Sequence, residues 1–327
     1  MTLRLLALID RFRRARVTVI GDLVADEFIY GRLSRVSREA PVLILEYDNT
    51  EIVPGGAGNA ASNVAALGAK VTLVGAVGRD QAGDRLIEAL QARGVKLDLA
   101  RPKDGATPLK TRILAGGVHS VKQQIVRIDR AGTGIVTRAI TRDVTARAKR
   151  AAAHADAIIA SDYGSGLIGA KAISRIRPKK AQLFVDSRYR LLDYRGITAC
   201  TPNESEVEAL LGVRIDDDKR ALEQSGRTLL RRTGAEAMLV TRGSRGMALF
   251  EPKQPTMNIP IFGSDEVADV TGAGDTVIAT FALARAAGAT FEDAARLANY
   301  AGGLVVMKRG TATITADELR AAVRGGA

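Results

Sequence analysis

Residues Asp269-Val270-Thr271-Gly272-Ala273-Gly274-Asp275-Thr276 bring two glycines, a carboxylate and a helix start together at one point of the chain. An apolar run with helical spacing follows at once (Val277, Ile278, Phe281, Ala282), so the amides of Gly272, Ala273, Gly274 and Asp275 are expected to lie unpaired at a helix N-terminus. Such amides attract phosphate, with the helix dipole behind them. Glycine removes the side chains that would hold a phosphate off the backbone, and Asp275 puts a carboxylate where an acceptor hydroxyl could lose its proton. Together these suit phosphoryl transfer. The same residues also fit an ordinary Gly-rich turn with Asp275 capping the helix.

Other polar groups stand where open α/β sheets bind ligands. In Val19-Ile20-Gly21-Asp22 an apolar strand ends at Asp22, which can accept hydrogen bonds from sugar hydroxyls or serve the turn. Pro54-Gly55-Gly56-Ala57-Gly58-Asn59 combines glycines for close approach with the amide of Asn59, at the start of a helix carrying Asn63 and Leu67. That suits a polyol. Gly56 to Ala61 also matches a loose dinucleotide fingerprint, but its strand and acidic partner are badly placed. Asn203 and Glu206 stand three apart after a strand and Pro202, so both side chains can face one cavity, or can cap the helix instead. Magnesium keeps several waters, so one carboxylate near the phosphates suffices. No Gly-x4-Gly-Lys-Ser/Thr occurs, which leaves phosphate binding to the helix opening at Gly272. His119 and His154, the only histidines, are too far apart in sequence to read as a catalytic or metal cluster.

The elements that must position these groups alternate. Candidate strands Val17–Asp22, Val71–Val77, Ala157–Ser161, Leu183–Asp186, Thr198–Thr201, Met238–Thr241 and Met247–Phe250 are separated by amphipathic stretches such as Asp80 to Gly94. This is the pattern of a mainly parallel sheet covered on both faces. Phe28 to Val53 and Thr107 to Asp129 break the rhythm, with short strands of polar alternation. We expect one large domain over residues 1–327, with these two pieces inserted as a small sheet.

Composition bounds the reading. The 327 residues are 46% hydrophobic, enough for a large core, and no apolar run approaches the ~20 residues of a membrane span. Met1 to Arg16 lacks a secretory apolar block and reads as an amphipathic helix ending in arginines. A single cysteine, Cys200, excludes an internal disulfide and fits a reducing cytoplasm. The net charge of +12 invites nucleic acid, but scattered cations and 4% aromatics offer no stacking platform. The field favours anionic substrates instead.

With Gly75-Ala76-Val77-Gly78-Arg79-Asp80 and Gly83, the Asp275 segment resembles the paired signatures of the ribokinase-like (PfkB) carbohydrate kinases. Gly21-Asp22, Gly55–Asn59, Thr201–Glu206 and Thr241-Arg242-Gly243 follow in the family's order. Ser34–Val42, Gln123–Asp129 and Ser161-Asp162-Tyr163 look most like the heptose 7-phosphate kinases of ADP-heptose synthesis. The resemblance implies a three-layer α/β/α fold with a small β-sheet lid, ATP as donor, and Mg²⁺ organised through water by Asn203 and Glu206. It implies Asp275 as base, with charge on the phosphoryl group met by the amides of Gly272, Ala273 and Gly274. Acceptor contacts are implied for Asp22, Gly55, Gly56, Asn59, Arg35 and Asp162. The loop Thr241, Arg242, Gly243 and Gly246 would meet the nucleotide, and Val267, Ala298, Asn299 and Gly302 would line its base. Lys110, Arg112, Arg127 and Arg188 lie on segments expected to converge near the lid, a cationic edge that a neutral sugar does not need.

Two positions depart from the pattern: Ser165 and Arg188 stand where related heptose kinases carry lysines. The His-x-Gly-His nucleotidyltransferase sequence of two-domain relatives is absent from the 327 residues, so the kinase step alone is expected. The resulting expectation is a cytoplasmic, homodimeric kinase of a heptose 7-phosphate, with no nucleic-acid or membrane partner. Another sugar or nucleoside kinase of the same family is the alternative, ahead of a silent sugar- or nucleotide-binding regulator and of a dehydrogenase using Gly56 to Ala61.

Overall fold

The apolar runs become strands of one large sheet, and the amphipathic stretches between them become its covering helices. The computed structural model describes residues 1–116, 122–178, 180–263, 269–308 and 310–326. Helix α1 (Thr2–Arg11) leads into β1 (Arg16–Gly21), and a long hairpin of β2 (Leu23–Val36) and β3 (Leu43–Gly56) precedes α2 (Ala57–Ala66). Then come β4 (Lys70–Ala76), α3 (Gln81–Ala92), β5 (Lys96–Ala100), β6 (Leu109–Gly116) and β7 (Gln123–Arg130). The middle of the chain forms α4 (Arg138–Ala152), β8 (Ala157–Asp162), α5 (Ala170–Ile176), β9 (Gln182–Ser187), β10 (Ala199–Cys200), α6 (Glu204–Leu211) and α7 (Lys219–Thr233). Strands β11 (Ala237–Thr241), β12 (Met247–Phe250) and β13 (Met257–Ile259) are followed by α8 (Ala273–Ala286), α9 (Phe291–Val306) and α10 (Ala316–Gly325).

The large sheet has nine strands in the order β13-β12-β11-β10-β9-β8-β1-β4-β5. Every pairing from β11 to β5 is parallel, and β12 and β13 add an antiparallel edge. Alternation along the strands feeds two cores: Val17, Val19, Ile159, Phe184 and Leu239 face a layer that includes α2, α8 and α9, while Ile20, Ile158, Leu183, Val185 and Met238 face α4, α5 and α7. Burial on both sides is why these strands read as continuous apolar runs. Strand order diverges between β1 and β8, the switch point of such sheets, and Asp22 and Asp162 stand at the carboxyl ends there.

The smaller sheet has the order β3-β2-β6-β7. Its first two strands are longer than the expected Phe28–Val53 segment, because each runs for 14 residues and is rooted beside Asp22 and Gly56. The buried roots, with Val24, Ala25, Val53 and Pro54, lack the polar alternation that marked the outer part. Conversely, the expected strand Thr198–Thr201 pairs only over Ala199–Cys200. Strand β7 is exposed along its whole length and carries Ile125, Val126 and Ile128. Cys200 is buried and free. No helix among the described residues is long and apolar enough to cross a membrane.

Candidate active site

Helix α8 opens at Gly272, whose left-handed backbone (φ +78°) suits glycine and whose missing side chain lets Asn59 approach, since a Cβ there would lie 2.4 Å from the Asn59 amide nitrogen. The first turn is less open than expected, because the Ala273 amide bonds to the Val270 carbonyl at 3.2 Å. Among the described residues the amides of Gly274 and Asp275 keep no partner, and a Cβ on Gly274 would meet nothing within 4 Å. These two amides are therefore the unpaired donors of the turn, the kind of group that suits an anion.

Asp275 is 5% exposed, and its carboxylate is held from two sides. Asn59 Nδ2 donates to Oδ2 at 2.8 Å, and the Tyr163 hydroxyl donates to Oδ1 at 3.1 Å. Asn59 is fixed in turn: its Oδ1 accepts from Asn63 Nδ2 at 3.1 Å, and Asn63 Oδ1 accepts from the Thr276 hydroxyl at 3.1 Å. Asn59 is thus tied to the Asp275 carboxylate on one side and to Asn63 on the other. Burial pushes the Asp275 carboxyl up to about 7, opposed by the bonds from Asn59 and Tyr163; the Asp26 charge adds to the rise and Lys110 counters it. A buried base near neutrality is matched to proton transfer at physiological pH.

Asp275, Gly272, Ala273 and Gly274 border a cavity of about 780 Å³. Opposite them, Asn203 and Glu206 open α6 as a capping box: Asn203 Oδ1 accepts from the Glu206 amide at 2.9 Å, and Glu206 Oε2 accepts from the Asn203 amide at 3.0 Å. Both uses of the pair therefore coexist, since both residues also line the cavity. Burial raises the Glu206 carboxyl, while its bonds to Asn203 and the Arg188 charge lower it. Asp186, at the end of β9, is driven well above the usual carboxylate range by burial and by its neighbours Asp275, Glu206 and Asp162. Of the described cavity-lining side chains only Arg188 is cationic, and its guanidinium stacks 5.5 Å from the Tyr189 ring. Among the described residues no three His, Cys, Asp or Glu side chains form a metal cage. Glu206 faces the cavity beside Asp162 and Asp186, and a carboxylate oxygen there suits a hard divalent cation carried largely by water and phosphate.

Thr241, Gly243 and Gly246 reach the cavity, as do Asn299 and Gly302 beside Met247, Ile261 and Val277. The amide of Asn299 donates to the Pro260 carbonyl at 2.9 Å, which leaves Met247, Ile261 and Val277 as the apolar part of this lining. Arg242 differs from expectation, because its guanidinium lies 3.6 Å from Glu204, a carboxylate also held by Arg245 at 2.7 Å; it braces the loop from behind. Ala298 is wholly buried in the α9 core, one residue off the lining face. Val267 and His119 lie outside the described residues.

On the acceptor side, Asp22 is 7% exposed and accepts from the Ser165 hydroxyl at 2.5 Å, the Ser165 amide at 3.2 Å and the Tyr163 amide at 2.9 Å. Burial raises its carboxyl despite those bonds. Asp162 borders the cavity and accepts from Gly164 N, the Ser187 hydroxyl and the Tyr194 hydroxyl at 3.0–3.1 Å, which ties the loops after β8 and β9 together. Gly55 and Gly56 make room: a Cβ on Gly56 (φ +56°) would lie 2.6 Å from the Asp22 carbonyl, and one on Gly55 would lie 2.3 Å from Asp26 Oδ2. Register puts Asp26, Lys110 and Asp129 in one row of the smaller sheet, and Phe28, Arg112 and Arg127 in the next row on the same face. Arg112 pairs with Asp26 at 2.5 Å and Arg127 with Asp129 at 2.6 Å, while Lys110 has no ion-pair partner among the described residues. Arg35 lies far along β2, exposed and away from the cavity.

The model of the pfkB family of carbohydrate kinases matches residues 14–318. The chain belongs to this pfkB family. It is accordingly a sugar kinase, transferring a phosphoryl group to an alcohol. Among curated relatives, the bifunctional protein HldE of Halorhodospira halophila is 42% identical over 322 residues, covering 96% of this chain and 65% of that protein. HldE of Coxiella burnetii is 41% identical over 319 residues, again 96% of this chain and 65% of the relative. The chain thus spans about 65% of the length of these relatives. Phosphofructokinase-2 from Escherichia coli in complex with substrates and products superposes with a TM-score of 0.79 at 18% identity, over 95% of this chain and 99% of that one. Arabidopsis thaliana ribokinase complexed with ribose and ATP gives 0.74 at 22% identity, with coverage of 95% and 99%. These superpositions establish the ribokinase-like fold of the pfkB kinase.

Sequence reading missed Asp26, Asp186 and the bonding of Tyr163 to Asp275. Asp186 ends the apolar run Leu183 to Val185, the same strand-end signal that marked Asp22. Asp26 lies inside a strand, and nothing local distinguishes it from a surface residue.

Proposed function

We propose that this pfkB kinase transfers the γ-phosphoryl group of ATP to the anomeric hydroxyl of D-glycero-D-manno-heptose 7-phosphate, giving the 1,7-bisphosphate for ADP-heptose synthesis in lipopolysaccharide core assembly. The observation that carries the reading is the charged face of the smaller sheet beside Asp275, where Lys110, Arg112 and Arg127 outnumber Asp26 and Asp129. The HldE relatives, near 40% identity over 96% of the chain, support the same acceptor class. Residues 1–327 act as one cytoplasmic kinase unit, with the smaller sheet as lid.

The chemistry follows from the residues. Asp275, oriented by Asn59, takes the proton of the attacking hydroxyl, and the free amides of Gly274 and Asp275 meet the charge on the transferred group. Glu206 would hold Mg²⁺ through water, and the ion would supply neutralisation of the phosphate charge. The apolar slot at Met247, Ile261 and Gly302 receives the base, while Thr241 and Gly243 border the nucleotide. Lys110 and Arg112 hold the acceptor's own phosphate, with Asp22 and Gly56 framing the ring.

One observation favours a second reading. Ser165, where related kinases have lysine, closes on Asp22 at 2.5 Å instead of supplying a cation, which suits an acceptor with less charge. ADP release over a panel of sugars and sugar phosphates, with the product's phosphate positions read by ³¹P NMR, tests both. The proposal requires a new anomeric phosphate on heptose 7-phosphate. Turnover of another sugar or nucleoside alone rejects it.

A further inference from the structure

Tyr163 sits at a junction that the phosphoryl-transfer chemistry leaves unused. Its backbone amide donates to Asp22 Oδ2 at 2.9 Å, and its ring lies over Gly56, where a Cβ would come within 3.5 Å of it. Its hydroxyl then reaches Asp275 Oδ1 at 3.1 Å. No other acceptor among the described residues receives that hydroxyl. The opposite oxygen of Asp275 is fixed by Asn59, itself locked by Asn63 and Thr276.

A carboxylate turns about a broad, two-fold χ2 well, so a single donor fixes one oxygen and leaves the plane free to tilt. Two donors from different elements fix the plane. We infer that Tyr163 is a positioning residue for Asp275, setting the carboxylate plane so that a free lone pair faces the acceptor hydroxyl, and keeping that carboxylate ionised in its buried setting. The inference rests on Asp275 being the base. It adds a link from Asp22 on the acceptor side to the base, carried by one side chain.

Charge around the pair agrees with this geometry. The groups facing Asp275 are Asp26 from β2, Lys110 from β6, and Tyr163 itself, with Asp186 from β9 close behind and Asn59 from α2 neutral. Asp275, Asp186 and Glu206 together with burial hold the Tyr163 phenol well above its ordinary value, so it stays a donor throughout the working range. A donor to the charged form lowers the carboxyl's pKa, and losing it raises that value.

Tyr163→Phe in the full chain tests this by kcat and its pH dependence, with ATP and the acceptor identified by the phosphorylation panel. Misplacement of the base predicts a fall in kcat of about tenfold with KM for ATP within about twofold, and an acid limb displaced to higher pH. Incorporating 3,5-difluorotyrosine at 163, a stronger donor of nearly the same shape, should displace the limb to lower pH. This variant also serves if the phenylalanine protein folds poorly. A profile superimposable on the parent's, or a fall in kcat with the limb unmoved in both variants, overturns the inference. Asp275→Asn separates the two levels: full activity in that variant removes the base and Tyr163's role together, whereas an inactive Asp275→Asn beside a parent-like Tyr163→Phe removes only the latter.

Discussion

Asn59 and Asp275, 216 positions apart, meet at 2.8 Å from amide nitrogen to carboxylate oxygen. The contact joins the first turn of α2 to the first turn of α8, so the Gly-rich segment ending at Asn59 and the one ending at Asp275 are halves of one site. Asn59→Ala removes this donor and leaves Oδ2 unsatisfied in a buried place. We expect kcat to fall by about 10- to 100-fold, with a smaller change in KM for ATP, and steady-state kinetics check the split.

Asp275→Asn keeps the shape of the side chain but cannot take a proton. We expect kcat lower by about 10²–10⁴-fold, the usual worth of a positioned base, while ATP binding measured by calorimetry persists. Turnover within a few fold of the parent would leave Asp275 a helix cap.

Burial raises the Asp275 carboxyl from its ordinary 3.8 to about 7, so the folded protein binds that proton more tightly than the unfolded chain. The stabilisation from this raised acid is complete below the unfolded value and is lost as pH climbs through about 7. Asp275→Asn escapes that loss. Thermal melts at pH 5 and pH 8 should show the variant's Tm, relative to the parent's, rising with pH; a constant difference would mean Asp275 is not a buried, high-pKa acid.

Much of this was legible in the chain. Continuous apolar strands such as Ala157–Ser161 forecast the parallel sheet, because that signal is local. What was not legible depends on contacts far apart in sequence. The bond from Asn59 to Asp275 exists only once α8 is packed against α2, and the pairing of Arg242 with Glu204 only once their two loops meet. Asp26 becomes part of the site only through its register with Lys110.

Strand β7 is an open edge with Ile125, Val126 and Ile128 exposed, a surface that chains commonly cover by pairing. We expect a homodimer through the smaller sheet at micromolar concentration by light scattering, and Ile128→Lys should shift it toward monomer. A monomeric parent would remove the dimer and leave the lid in place.

The acceptor decides the central claim. A bidentate arginine or a lysine contact to a phosphate is worth about 1.5–3 kcal/mol, so kcat/KM for heptose 7-phosphate should exceed that for the free heptose by at least about tenfold. Lys110→Ala should erase most of that preference without lowering turnover of the free sugar to the same degree. The direct measurement is therefore the ratio of kcat/KM values for the two acceptors on the parent enzyme, by ADP release at saturating ATP. Phosphate binding by Lys110 and Arg112 predicts a ratio of about ten or more in favour of the phosphorylated sugar. Equal or better use of the free heptose would contradict it.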